Sequence, residues 1–138
     1  EKQIQVAANQ CLHLDFTPEG HSIQCRINAE DVKENFRPQP GRITKLEWPS
    51  GPGIRIDTHL REGDPVSPHY DSMIAKVVVH GSTRNEAINK MNSALNSVII
   101  KGVPTTVELH KKIIEQERFV SGDYDTKFLE DNIGVLVS

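Results

Sequence analysis

The 138 residues suffice for one domain with a core and are too few for two ordinary ones. With 16 Lys and Arg against 19 Asp and Glu, a net charge of -3, no basic run and 5% aromatic residues, the chain lacks the charge and the stacking platforms of a nucleic-acid binder. Hydrophobic residues make up 36% and come in runs too short for a membrane span, and Glu1-Lys2-Gln3 does not open a signal peptide.

Ile4, Val6, Ala7 and Ala8 keep the spacing of a helix tail without an N-cap, so residues 1–19 read as the remnant of a preceding helix and a linker. A turn at Pro18-Glu19-Gly20 follows. From His21 to Ile27 apolar and polar residues alternate, which predicts a strand with Ile23, Cys25 and Ile27 facing inward. Asn28-Ala29-Glu30-Asp31 closes that strand. Adjacent carboxylates on extended backbone point apart, so Glu30 and Asp31 read as a turn or cap and not as metal ligands. Beyond Pro38-Gln39-Pro40-Gly41 another strand is expected from Arg42 to Trp48, with Thr44, Leu46 and Trp48 on one face.

The Gly/Pro loop Pro49-Ser50-Gly51-Pro52-Gly53 leads into a strand and lacks a following Gly-Lys-Ser/Thr, which argues against a phosphate loop and for a turn using positive φ. In Ile54-Arg55-Ile56-Asp57 the period of two puts both isoleucines on one face and Arg55 with Asp57 on the other. Two readings are open for Arg55. It is either a solvated side chain paired with Asp57, or a strand-mounted fork of donors for a planar anion.

Turn signals at Glu62-Gly63-Asp64-Pro65 and Pro68-His69-Tyr70-Asp71 precede Met73 to Val79, a nearly continuous apolar run that predicts a strand covered on both faces, with Lys76 extended along its stem. Thr83-Arg84-Asn85-Glu86 has the form of a capping box, and Ala87, Ile88, Met91, Ala94, Leu95 and Val98 continue it as a helix of roughly four turns. Thr105 and Glu108 are expected to cap a second helix to about Gln116, marked by Val107, Leu109, Ile113 and Ile114. Phe119 to Asp125 reads as a loop, Phe128 and Leu129 begin a short terminal element, and residues 133–138 read as a tail. Strands first and capped helices after them predict an α+β domain over residues 20–132, an antiparallel sheet with helices on one side.

The chemistry is sparse. His13, His21, His59, His69, His80 and His110 have no zinc spacing, and no metal site is expected. Cys11 and Cys25 form no Cys-x-x-Cys pair, and both read as free thiols of a reducing compartment. There is no Gly-x-Ser-x-Gly elbow and no legible set of phosphate-binding and metal-holding groups, so the chain alone looks catalytically incomplete.

The strings GHSIQCRINAED (Gly20 to Asp31), RPQPGRIT (Arg37 to Thr44), SGPGIRIDTH (Ser50 to His59) and YDSMIAK (Tyr70 to Lys76), in this order, resemble the C-terminal domain of biotin carboxylase. That family is the ATP-dependent subunit or domain of acetyl-CoA, propionyl-CoA, methylcrotonyl-CoA and pyruvate carboxylases. The resemblance implies carboxylation of N1 of carrier-bound biotin by bicarbonate and ATP, with Mg or Mn, by way of carboxyphosphate. It also implies that Arg55, in the family's G-[IV]-R motif, lies beside biotin and bicarbonate and stabilises the developing oxyanion. The metal-holding and nucleotide-binding residues lie upstream in this family. The chain is therefore expected to be an inactive fragment without the N-terminal and ATP-grasp domains. Implied partners are those domains, a biotin carboxyl carrier, a carboxyltransferase and a second copy in a homodimer, whose contact would fall near His80 to Arg84. The implied location is the cytoplasm, or the mitochondrial matrix in a eukaryote. A non-catalytic assembly module is the alternative. A carrier domain is rejected, because its modified lysine belongs in an exposed hairpin turn, whereas Lys76 sits within an apolar strand.

Overall fold

The computed structural model describes residues 1–12 and 17–137. His13 and part of the 1–19 segment, as well as Ser138, lie outside the described residues. A short helix, α1 (Lys2–Ala7), buries none of its residues.

The centre is an antiparallel sheet of three strands in the order β1 (His21–Asn28), β8 (Met73–Gly81), β6 (Ile54–Thr58). Alternation in β1 works as read: Ile23, Cys25 and Ile27 are buried, while Ser22, Gln24 and Arg26 are exposed. Register pairs Ile23, Cys25 and Ile27 with Val79, Val77 and Ala75, and Ile54 and Ile56 with Val79 and Val77. One apolar face results. Helix α2 (Arg84–Ser97) packs on β8 and β1 with Ala87, Ile88, Met91, Ala94 and Leu95 buried.

The expectation that Met73 to Val79 is covered on both faces needs correction. Ala75, Val77 and Val79 are buried on the α2 side and Ile74 is buried as well, but Lys76 and Val78 are only half-buried and His80 is exposed. With helices on one side of an antiparallel sheet, the other side stays open.

Three two-stranded ribbons frame this sheet: β2 (Glu30–Asp31) with β3 (Arg37–Pro38), β4 (Gly41–Arg42) with β7 (Pro65–Val66), and β5 (Lys45–Glu47) with β9 (Ile99–Lys101). The single strand expected from Arg42 to Trp48 is thus two, broken at Ile43 and Thr44. Ile43 is fully buried and its amide donates to the Asp64 carbonyl, while Thr44 donates to the Lys101 carbonyl, so the chain switches partner here. Asp31 accepts from the Lys33 amide at 2.9 Å, the capping role read for it.

Helix α3 (Val107–Ile114) packs against α2. Its N-cap is Thr106, not Thr105, and it ends at Ile114, short of Gln116. The Thr106 hydroxyl does not cap at all. It accepts from the Asn28 amide at 3.1 Å and donates to the Arg26 carbonyl at 3.3 Å, which ties α3 to the end of β1. Helix α4 (Glu117–Ser121), ended by Gly122 at φ 83°, runs into the segment from Phe119 to Asp125 expected to be a loop. The last helix, α5 (Phe128–Leu136), continues past residue 132, with Leu136 2% exposed. The chain is α+β, with antiparallel strand pairs and the helices over one face of the central sheet.

Candidate functional site

The open face of the sheet carries Ser22, Gln24 and Arg26 on β1, Lys76, Val78 and His80 on β8, and Arg55 with Asp57 on β6. Register sets Val78 between Gln24 and Arg55, and Lys76 between Arg26 and Asp57. Arg26 is ion-paired with Asp71 at 3.1 Å.

Arg55 enters this face from the Gly/Pro turn. Gly53 has φ 73°, and a Cβ there would fall 2.6 Å from the His80 carbonyl oxygen and 2.9 Å from Lys90 Nζ. No side chain fits. The Gly53 carbonyl accepts from the His80 amide at 2.8 Å, and Lys90 Nζ donates to the His80 carbonyl at 2.8 Å. The turn is thereby docked on the end of β8, and β6 starts one residue later.

Helix α2 is anchored at the same corner. Thr83 Oγ1 accepts from the Glu86 amide at 3.2 Å, as the capping box requires, but the Glu86 carboxylate reaches past Thr83 to the Ser82 amide and hydroxyl. Those two donors, with Lys90 beside them, hold the Glu86 carboxyl down to about 2.

The Arg55 side chain is 69% exposed and its guanidinium is gripped by Asp57: Nε donates to Oδ1 at 3.0 Å and Nη2 to Oδ2 at 3.2 Å. Among the described residues Nη1 has no hydrogen-bond partner, so the Nη1/Nη2 end of the fork remains open. Arg55 also lines a shallow depression of about 320 Å³ with Ser22, Gly53, Ile54, Val78 and His80. A second cleft of about 300 Å³ at the far end of β6, lined by His59, Leu60, Val66, Tyr70, Asp71 and Met73 among others, carries no Arg or Lys. For an anion the Arg55 depression is the better site. Of the two sequence readings of Arg55, the structure shows the solvated side chain paired with Asp57, with Nη1 unpaired among the described residues.

Arg84 lies apart from this face, and its donors are engaged within the chain. Nη1 donates to His21 Nε2 at 3.0 Å, Nε to the Val120 carbonyl at 3.2 Å, and Nη2 to the Phe119 carbonyl. The guanidinium also lies over the Phe119 and Tyr124 rings, 5.1 and 5.7 Å from their centroids. It binds α4 and the following turn to the start of α2.

Lys76 lies mid-strand on the central strand β8, between β1 and β6, and not in a hairpin turn. Cys25 is buried, which pushes its thiol up to about 12, whereas Cys11 is exposed; both are free. His110 Nε2 donates to the Arg26 carbonyl at 2.7 Å, and burial holds its pKa below the usual histidine range. Glu30 is hydrogen-bonded to Asn28 and Ser72. Among the described residues no three His, Cys, Asp or Glu side chains gather as a metal-binding group. None of their helices is long and apolar enough to cross a membrane. The Thr106 junction and the Arg84 cage had no readable signal, since each joins residues tens of positions apart.

The family model of the biotin carboxylase C-terminal domain matches residues 24–131. Biotin carboxylase 1 of Bacillus subtilis is 47% identical over 133 residues, which are 94% of this chain and 30% of that protein. The biotin carboxylase domain dimer of Hydrogenobacter thermophilus 2-oxoglutarate carboxylase, solved with MgADP, ADP and bicarbonate, superposes with a TM-score of 0.92. It is 39% identical, over 97% of this chain and 30% of that one. A biotin carboxylase subunit of pyruvate carboxylase gives 0.92 at 40% identity, covering 97% of this chain and 30% of that one. The chain thus spans about 30% of the length of the curated relatives it matches first. From the profile over residues 24–131 and these superpositions, the chain belongs to the biotin carboxylase C-terminal domain family.

Proposed function

We propose that this domain works within a biotin carboxylase, where it supplies the open edge of the Arg55 guanidinium to the carboxylation of N1 of carrier-bound biotin by bicarbonate. The observation that carries the reading is the half-used fork: Asp57 fixes the Nε/Nη2 side, Nη1 has no hydrogen-bond partner among the described residues, and Arg55 lines a depression on the open sheet face. When biotin gives up its N1 proton, negative charge grows on the ureido oxygen. A permanently charged donor pair already in position acts on that charge without reorganising.

The described residues do not suit a Mg-ATP site, since the Gly51–Gly53 turn leads into a strand and no carboxylate group gathers there. ATP, with Mg²⁺ or Mn²⁺, is assigned to the N-terminal and ATP-grasp domains, where it activates bicarbonate. The carboxylated biotin then passes on its carrier to a carboxyltransferase. This chain by itself is expected to be inactive.

A second reading concerns assembly. The Hydrogenobacter relative is described as a dimer. Arg84 packs Phe119 and Tyr124 close to the β8 end where the resemblance puts a homodimer contact. In this reading Arg84 acts by holding that surface in shape, because its own donors are engaged.

The test of function is ATP cleavage by the protein extended to the length of its relatives, with bicarbonate, at rising concentrations of free biotin. Biotin-stimulated cleavage with carboxybiotin as product supports the reading. ATP cleavage indifferent to biotin, or none, contradicts it.

A further inference from the structure

Asp57 neutralises Arg55 across their ion pair. The geometry points to more: Asp57 is a positioning residue that aims the open end of the Arg55 fork at its anionic ligand. This inference rests on the reading of Arg55 given above.

Residues two apart on β6 share a face, so Arg55 and Asp57 stand side by side with no help from a loop. A guanidinium offers two paired edges to a carboxylate, one through Nε and one Nη, the other through both Nη atoms. Asp57 takes the first, with Nε at 3.0 and 3.3 Å from its two oxygens and Nη2 at 3.2 Å from Oδ2. Once that edge is fixed, the plane of the group and the direction of the second edge are fixed too. An unpaired arginine on an open face would sample many rotamers and lose freedom on binding.

Asp57 has a cost as well as a benefit. Its negative charge weakens the long-range pull of Arg55 on any anion. Positioning therefore predicts a split: removing the charge lowers turnover through misalignment without weakening capture of bicarbonate. A pair this exposed grips loosely in water, with 69% and 46% of the two side chains accessible. It tightens when neighbouring domains and the carrier exclude solvent. Lys76 stands directly opposite Asp57 across the β6–β8 ladder.

The test compares wild type, Asp57→Asn, Asp57→Glu, Arg55→Ala and the Arg55→Ala/Asp57→Asn double variant in the full-length protein, with melting temperatures as a check on folding. The readouts are kcat for biotin-dependent ATP cleavage and KM for bicarbonate. Asp57→Asn is expected to lower kcat roughly ten-fold, the scale of a small misplacement of a reacting partner, with KM for bicarbonate unchanged or lower. Asp57→Glu should recover part of the loss, and the double variant should be no slower than Arg55→Ala alone. Asp57→Asn within two-fold of wild type, beside a disabled Arg55→Ala, overturns the positioning role and leaves the reading of Arg55 standing. So does a double variant whose loss is the product of the single losses. An active Arg55→Ala overturns the reading of Arg55 itself, and the inference with it.

Discussion

Thr106 Oγ1 accepts the Asn28 amide hydrogen at 3.1 Å, and the Thr106 amide donates to the Asn28 carbonyl at 3.1 Å, a reciprocal pair that joins the last residue of β1 to the residue before α3. Thr106 is 5% exposed, so water does not replace the bond. Thr106→Val keeps the shape and removes the acceptor, leaving the Asn28 amide unpaired. The expected loss is about 1–3 kcal/mol of stability, read from the urea midpoint, and Thr106→Ser should retain most of it. A valine variant as stable as wild type would show that this junction is not needed.

His110 completes the same junction through its bond to the Arg26 carbonyl. Burial lowers its pKa from 6.5, so the unfolded chain takes up a proton more readily than the folded one. Its contribution is therefore complete above the unfolded pKa and is lost as pH falls toward the lower folded value. Urea midpoints of wild type should drop more than those of His110→Gln between about pH 8 and about pH 5. Parallel curves would count against the half-buried, neutral imidazole.

Gly53 is placed where a Cβ would strike the His80 carbonyl oxygen, at φ 73°. Gly53→Ala should cost about 1–3 kcal/mol in the urea midpoint and loosen the start of β6, seen as faster amide exchange at residues 54–56. Unchanged exchange with unchanged stability would mean that the turn is free to shift.

The two thiols should separate cleanly. Cys11 is exposed, whereas Cys25 is buried with its thiol pushed up to about 12. A thiol reagent near neutral pH should label one cysteine of the native protein and both in denaturant. Rapid native labelling of both would place Cys25 outside the core.

Which parts of this molecule were legible follows from where the determining contacts lie. β1 and α2 could be read because one face of each is buried and their caps are local: Ile23, Cys25 and Ile27 alternate, and Thr83 caps from three residues before Glu86. The break at Ile43 could not, since it depends on Asp64 and Lys101 accepting the amides of Ile43 and Thr44. Thr105 and Thr106 both suit a cap by composition, and it took the distant Asn28 and Arg26 to settle which residue stands there and what its hydroxyl does. The run Met73 to Val79 looked buried on both sides because Val78 is apolar, yet its neighbours on the open face are Gln24 and Arg55. Arg55 was singled out by alternation on a strand after a Gly/Pro turn. Its proposed ligand came from the resemblance of the surrounding strings, because a period of two places a charge on a face without saying what meets it.

The central claim is that Arg55 acts on the developing charge of the reaction. It is tested most directly by biotin-dependent ATP cleavage of the full-length protein, wild type against Arg55→Ala, at matched melting temperature. The side chain is exposed and supports little of the fold, so the variant should remain folded. The predicted result is a loss of roughly 10²- to 10³-fold in biotin-dependent turnover. Equal turnover of the two proteins would contradict the account and leave Arg55 a solvated residue paired with Asp57.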